Sequence, residues 1–205
     1  MTQEGPVRGA AIAGLVLAGG RSERLGRPKQ LLPYRGTTLL EWVVREACRA
    51  VLLDQVVVVL HPALTEWAGA RDWGRATLVV AEQPDSGCSA SYRAGLGVVA
   101  AHAEAVMIIL GDQPGVSAAV IDRLAGAWLE RRAPVALVRY RGELGHPLLF
   151  GRELFGELAV LWGDKAAWKL VDRLLGSALV VDVDAPYPRD VDTWADYQAL
   201  LEGSP

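Results

Sequence analysis

Apolar positions along the chain alternate between two periods, and that alternation points to an architecture before any single residue does. Residues 12–18 form a continuous apolar run, the pattern of a strand buried on both faces. Residues 38–50 place Leu39, Leu40, Val43, Val44 and Ala47 at helical spacing. Residues 55–60 hold four consecutive valines, and a β-branched run of that kind favours a buried parallel strand. The exchange then repeats: a short helix over 62–69, a strand over 77–81, a helix over 89–101 and a strand over 106–110. A helix over 117–130 with Ser117 as its cap precedes a strand over 134–138. Beyond Val138 the pattern changes. Residues 139–150 are glycine-bearing and extended, which predicts a hairpin or insertion near the sheet's edge. Helices over 152–158 and 165–175, a strand over 178–183 and a closing helix over 191–201 complete the chain.

Strands that alternate with helices predict an α/β three-layer sandwich, because parallel neighbours need a crossover between them. No internal repeat, low-complexity tract or linker interrupts the pattern. The expected organisation is a flexible tail over residues 1–10 and a single domain over 11–205. In such sheets ligands sit beyond the carboxyl ends of the strands. The residues that follow strands therefore carry the chemical information.

Composition narrows the function classes. Half of the 205 residues are apolar and 22% are charged, which is ordinary globular composition. A formal charge of −3 gives no electrostatic reason to expect nucleic acid or an anionic membrane as partner. The apolar run after Arg8 is too short to span a bilayer, which takes about 20 residues, and it leads directly into a basic glycine loop. It is read as a buried strand rather than a signal peptide. Cys48 and Cys88 have neither metal-ligand spacing nor a disulfide framework, in keeping with a reducing cytoplasm.

The first strand is followed by Leu17-Ala18-Gly19-Gly20-Arg21-Ser22-Glu23-Arg24-Leu25-Gly26-Arg27-Pro28-Lys29. Its three glycines allow positive φ, so that several backbone N–H groups can face one anion. Arg24 and Lys29 supply the charge to neutralise phosphate oxygens. The loop lacks the Gly-Lys-Ser/Thr of the Walker pattern. It also lacks Gly-x-Gly-x-x-Gly, and no acidic residue closes the second strand to hold an NAD ribose. The strand over 106–110 leads into Gly111-Asp112-Gln113-Pro114, where Asp112 is either a turn residue or a hard oxygen ligand for Mg²⁺. Near the end of the chain, Asp192 in Arg189-Asp190-Val191-Asp192-Thr193 is either a second carboxylate or the cap of the last helix. The segment from Glu82 to Leu96 contains Gly87-Cys88-Ser89-Ala90-Ser91, small residues at a helix start that would admit a flat base. Cys88 is either a reactive thiol there or a small apolar contact.

The first loop, continued by Gln30-Leu31-Leu32-Pro33 and Thr38-Leu39-Leu40-Glu41, resembles the signature of the MobA-like NTP-transferase superfamily. The segment Asp190-Val191-Asp192-Thr193-Trp194-Ala195-Asp196 is similar to that family's Asp-x-Asp-Thr-Pro-x-Asp closing motif, with Trp194 in place of proline. Gly87-Cys88-Ser89-Ala90-Ser91 and Arg141-Gly142-Glu143-Leu144-Gly145-His146-Pro147 resemble segments of one branch, the molybdenum cofactor cytidylyltransferases called MocA. Gly163-Asp164-Lys165 resembles a third, with alanine at 166 replacing a glycine.

The resemblance implies a mostly parallel twisted sheet of the Rossmann-like nucleotide-diphospho-sugar-transferase type. It implies nucleotide contacts from Leu17, Ala18, Gly19, Gly20, Arg21, Gly26, Lys29, Gly87, Ser89 and Ser91. Arg24, Lys29 and Asp112 become the catalytic residues, Asp112 and Asp192 the metal ligands, and Arg141 and His146 the acceptor contacts within an acceptor-side hairpin at 139–150. Mg²⁺, with Mn²⁺ as substitute, is the implied cofactor. An NTP and molybdopterin or molybdenum cofactor are the implied substrates, and a molybdenum hydroxylase is the implied receiver of the product. CTP is favoured by the MocA-like segments. Leu-Ala-Gly-Gly, as in guanylyl-transferring relatives, keeps GTP as the alternative. Transfer to another phosphate ester or sugar phosphate, and a silent cofactor-binding chaperone, are the remaining readings.

Overall fold

A computed structural model describes residues 11–20, 22–82, 88–99, 101–163 and 166–203, apart from the side chains of Glu23, Cys88 and Ser89. Strand β1 (Ala11–Ala18) leads through two short 3-10 turns, Glu23–Leu25 and Lys29–Leu31, to a small hairpin of β2 (Pro33–Tyr34) and β3 (Thr37–Thr38). Helix α1 (Leu39–Arg49) starts there because Thr38 and Glu41 form a reciprocal capping box, each side chain bonding the other's backbone N–H. Strand β4 (Gln55–Leu60) is the valine run. Helix α2 (Thr65–Gly69) and β5 (Ala76–Val80) follow, then α3 (Cys88–Leu96), β6 (Ala103–Leu110) and α4 (Ala118–Arg131), which Ser117 caps as expected. Strands β7 (Val135–Tyr140) and β8 (Glu143–Gly151), helices α5 (Phe155–Val160) and α6 (Ala166–Leu174), β9 (Leu179–Val183) and α7 (Trp194–Glu202) end the order.

Seven strands make one sheet in the order β5-β4-β1-β6-β8-β7-β9. Every pair is parallel except those involving β8, which runs against both β6 and β7. Alternate strand residues feed two cores. Ile12, Val16, Val56, Val58, Met107 and Ile109 pack with α1 and α4 on one face. Leu15, Val57, Val59, Val106 and Ile108 pack with α3, α5 and α6 on the other. This is the expected three-layer sandwich. Both faces of β1 and of β4 after Gln55 are buried, which is why these stretches are apolar without a break.

Three expectations need correction. The hairpin over 139–150 is not at the edge: β8 lies inside the sheet, between β6 and β7. Helix α3 ends at Leu96, where Gly97 and Val98 close the last turn back onto Arg93 and Gly95. The final helix begins at Trp194 rather than Val191, because Thr193 is its cap and Asp196 completes a second capping box. Val191 is buried instead against Leu25, Leu32, Tyr34 and Leu39. Among the described residues, no helix is long and apolar enough to cross a membrane.

The chain runs from β1 to β4 and β5 on one side and returns to β6 on the other. The order therefore reverses beside β1, and in sheets of this kind ligands sit at such a reversal, here at the carboxyl ends of β1 and β6. The glycine loop leaves one of these ends and Asp112 the other.

Candidate active site

The loop after β1 is held by a buried side chain. Gln30 is 2% exposed; its Nε2 donates to Ala18 O and Gly20 O, both at 3.2 Å, and its Oε1 accepts from Ser22 Oγ at 3.3 Å. Ser22 Oγ in turn accepts from the backbone N–H of Lys29 at 2.9 Å. The two ends of the loop are thereby tied together, and Lys29 is aimed back over the sheet. Nothing in the sequence marked Gln30 or Ser22 for this role; the only signal was a polar residue beside the apolar pair Leu31-Leu32. Gln30→Leu is expected to lower stability by about 1–3 kcal/mol, since it strands two carbonyls and a hydroxyl. Urea denaturation checks this, and a midpoint equal to that of wild type refutes it.

The loop glycines do different jobs. Gly26 has φ +67, a left-handed conformation, as expected. A Cβ on Gly19 would come within 2.5 Å of Ser91 Oγ, so this glycine lets the loop lie against α3. Gly20 needs neither freedom, and positive φ at all three is not what the loop uses. Ser91 is buried at this contact. Leu17 and Ala18 are strand residues at the carboxyl end of β1. Arg21 and Gly87, with the side chain of Ser89, lie outside the described residues, as do Asp164 and Lys165 and the thiol of Cys88.

Lys29 joins two carboxylates that lie 80 positions apart in the sequence. Its Nζ donates to Asp112 Oδ2 in a close ion pair and to Asp192 Oδ1 at 2.7 Å. Arg24 Nη2 holds the other Asp192 oxygen at 2.7 Å from a largely exposed position. Burial alone would lower the Lys29 pKa, but Asp112 and Asp192 outweigh it and hold the ammonium above its ordinary value. Burial likewise opposes ionisation of Asp192, yet Lys29 and Arg24 keep its carboxyl below the usual carboxylate range. The lysine is therefore charged and Asp192 ionised near neutral pH.

The segment carrying Asp192 is fixed from both sides. Val191 N donates to Asp112 O at 3.2 Å, which stitches it to the turn after β6. Asp196 Oδ2 accepts from Asp192 N at 3.2 Å and from Thr193 N at 2.7 Å. Thr193, not Asp192, is the helix cap, so the Asp192 carboxylate is left for Lys29 and Arg24. Two further residues emerge here. Asp196 positions the backbone of Asp192, a role signalled by Thr-x-x-Asp as a capping box. Asp190 accepts from Gln113 Nε2 at 2.5 Å; burial, then Asp112, pushes its carboxyl pKa up. Gln113 is itself 1% exposed, and its Oε1 has no partner among the described residues.

The acceptor-side residues divide. Arg141 and Gly142, both at positive φ, make the turn between β7 and β8 at the carboxyl edge of the sheet. Arg141 Nε pairs with Asp184 Oδ1 at 2.8 Å in an exposed ion pair that costs little to open. His146 does not meet its expectation. It is 6% exposed and set edge-on against Trp168 at 5.7 Å, and burial drives its pKa down to about 4. A neutral, enclosed imidazole neither attracts a phosphate by charge nor gives up a proton at neutral pH. Its backbone carbonyl accepts from Tyr140 Oη at 2.6 Å, a structural bond.

Among the described residues, no group of three or more His, Cys, Asp or Glu is placed to hold a metal. The donor set on offer is two carboxylates, with hard oxygens suited to Mg²⁺ or Mn²⁺ and with phosphates and water left to complete it. The ammonium of Lys29 between those carboxylates shows that the position favours a cation, so the residues fit such an ion.

These features define a class: an α/β sandwich whose first-strand glycine loop sends a lysine to carboxylates that follow a middle strand and the last strand. The chain belongs to the MobA-like NTP transferase family, whose domain model matches residues 14–189. It is 37% identical, over 93% of its length and 96% of the relative's, to nicotine blue oxidoreductase of Paenarthrobacter nicotinovorans. It is 32% identical to the molybdenum cofactor guanylyltransferase of Rhodobacter capsulatus, covering 84% of this chain and 85% of that one. The crystal structure of Rv0371c from Mycobacterium tuberculosis H37Rv in complex with manganese superposes with a TM-score of 0.83 at 39% identity, over 95% of this chain and all of that chain.

Proposed function

We propose that the protein is a divalent-metal-dependent nucleotidyltransferase, with residues 11–205 acting as one catalytic domain. In this reading it moves CMP from CTP to the phosphate of molybdopterin or molybdenum cofactor and releases pyrophosphate. The observation that carries it is the meeting of Asp112 and Asp192 at one ammonium, above a glycine loop at the reversal of strand order. The family, the guanylyltransferase relative and the manganese complex of the Mycobacterium relative support the reaction type, the acceptor and the metal.

An acceptor phosphate oxygen attacks the α-phosphorus of the NTP, and the bond from that phosphorus to the pyrophosphate oxygen breaks. A phosphate monoester is ionised at neutral pH and needs no general base. The protein's contribution is alignment and charge neutralisation. Backbone N–H groups of Gly19, Gly20 and Gly26 face the triphosphate, Lys29 and Arg24 take up its negative charge, and Arg141 opens from Asp184 toward the acceptor. Asp112 and Asp192 would hold Mg²⁺, which would neutralise the phosphates and the departing pyrophosphate.

CTP is supported by the segments around Ser89 and His146. GTP is a second reading, favoured by Leu-Ala-Gly-Gly and by the guanylyltransferase relative. The oxidoreductase relative introduces a third activity, against which stands the lack of a dinucleotide glycine pattern. Pyrophosphate release from each of the four NTPs, with molybdopterin and Mg²⁺ or Mn²⁺, separates these. Release with CTP above the others is the expected result; preference for GTP selects the second reading, and no release from any NTP overturns molybdopterin as the acceptor.

A further inference from the structure

Lys29 stands where a cation has to stand. Its side chain is 14% exposed, and its ammonium spans Asp112 Oδ2 and Asp192 Oδ1, the oxygens assigned above to the metal. An ammonium and a divalent ion cannot share that space, because each needs the same oxygens at about 2–3 Å and the two repel. A free metal ion must therefore push Lys29 out. The displaced ammonium, tethered to a short 3-10 turn whose backbone Ser22 and Gln30 hold, then loses both carboxylates it is bonded to, and the neighbouring Asp190 is already engaged by Gln113 Nε2. A partly buried charge stripped of its partner is costly. An anion that enters with the metal removes that cost, and the glycine loop directly behind Lys29 is where a triphosphate would lie.

We propose that Lys29 closes the metal position to free divalent ions and yields it to a metal–NTP complex, moving from the carboxylates to the triphosphate as the metal replaces it. The inference rests on the reading that Asp112 and Asp192 hold the metal, and it names the form in which the substrate enters. Before the exchange both carboxylates share the ammonium. After it they share the metal, and the ammonium has the phosphates, so no charge is unpaired at either end. Arg24 is 68% exposed, and its bond to Asp192 is screened by solvent, so it follows the exchange without opposing it. Metal and nucleotide consequently bind with positive coupling, which is reciprocal by linkage.

The test is Mn²⁺ binding, followed by the loss of the free-ion electron paramagnetic resonance signal. It compares wild type, Lys29→Met and Lys29→Gln, each with and without Asp112→Asn. α,β-Methylene analogues of CTP and GTP serve as uncleaved nucleotides. Without nucleotide, Lys29→Met and Lys29→Gln are expected to bind Mn²⁺ at least about tenfold tighter than wild type, about 1.4 kcal/mol. The analogues should tighten Mn²⁺ binding strongly in wild type and much less in the Lys29 variants. A second readout is thermal melting: Mn²⁺ alone should raise the melting temperature of the Lys29 variants more than that of wild type. If neither Lys29 variant binds Mn²⁺ more tightly while Asp112→Asn weakens binding, the closing role of Lys29 is overturned and the metal site stands. If Asp112→Asn leaves Mn²⁺ binding unchanged in every background, the metal assignment itself falls. Wild type that binds Mn²⁺ equally well with and without the analogues also overturns the proposal.

Discussion

Asp112→Asn is expected to lower the rate of pyrophosphate release about 10³-fold or more while leaving the fold in place. The substitution keeps the shape and the backbone of the turn after β6. The carbonyl of residue 112 still receives Val191 N, and Lys29 still has Asp192 at 2.7 Å. What disappears is one of the two hard anionic oxygens that face the proposed metal position. Because the glycine loop proposed to hold the nucleotide is braced independently by Gln30, the fall should lie in kcat and in the metal requirement more than in the KM for the NTP. Kinetics over a range of metal and NTP concentrations, with far-UV circular dichroism as the folding control, distinguish these effects. Turnover within about twofold of wild type removes Asp112 from the chemistry.

Most of the fold was legible because burial on both faces leaves an unbroken apolar signature. The strand expected over 55–60 and that observed at Gln55–Leu60 coincide for that reason. The misplacement of β8 has an equally specific cause. A proline and two glycines within 142–147 argue against a central strand, since proline has no N–H for the ladder. The sheet solves this with an irregularity: Leu137 pairs with Leu148 but Val138 pairs with Gly145, so His146 and Pro147 bulge out of the β7 ladder. On the β6 side, pairing ends at Leu148. Pro147 therefore owes no hydrogen bond, and the strand passes through the interior. No local pattern contains that information, because it depends on which strands become neighbours.

The site shows the same division between local and non-local signals. Aspartate and threonine are both good helix caps, so the segment around Asp192 leaves two starts for the last helix. Asp196 decides between them by closing a box with Thr193, and this releases the Asp192 carboxylate toward Lys29. The link between Gln113 and Asp190 is invisible in the chain order, since 77 positions separate them. Arg24, Lys29, Asp112 and Asp192 were nominated from loop chemistry and family resemblance, and the crossing of strand order beside β1 brings them together. His146 was nominated on the same grounds and went elsewhere, because the bulge that admits Pro147 turns this part of β8 against α6.

That enclosure gives His146 a large effect on stability in acid. Its pKa is lowered to about 4 in the folded protein from the ordinary 6.5, with burial as the cause. As pH falls below 6.5 the unfolded chain takes up a proton that the folded one refuses until about pH 4. Unfolding is then accompanied by proton uptake, so stability is fully present above pH 6.5 and declines through that window. The expected loss at about pH 5 is roughly 1–2 kcal/mol. His146→Phe keeps an aromatic ring to meet Trp168 and removes the titrating group, so its urea midpoint should be flatter between about pH 6.5 and 4.5. Below that range Asp192 and Asp196, both held under the usual carboxylate value, begin to lose their partners and weaken either protein alike. Equal acid sensitivity of wild type and variant above pH 4.5 would show that His146 is not the group responsible. Turnover offers an independent check: a neutral, enclosed imidazole leaves no step near pH 6.5 in the kcat profile for His146→Phe to remove.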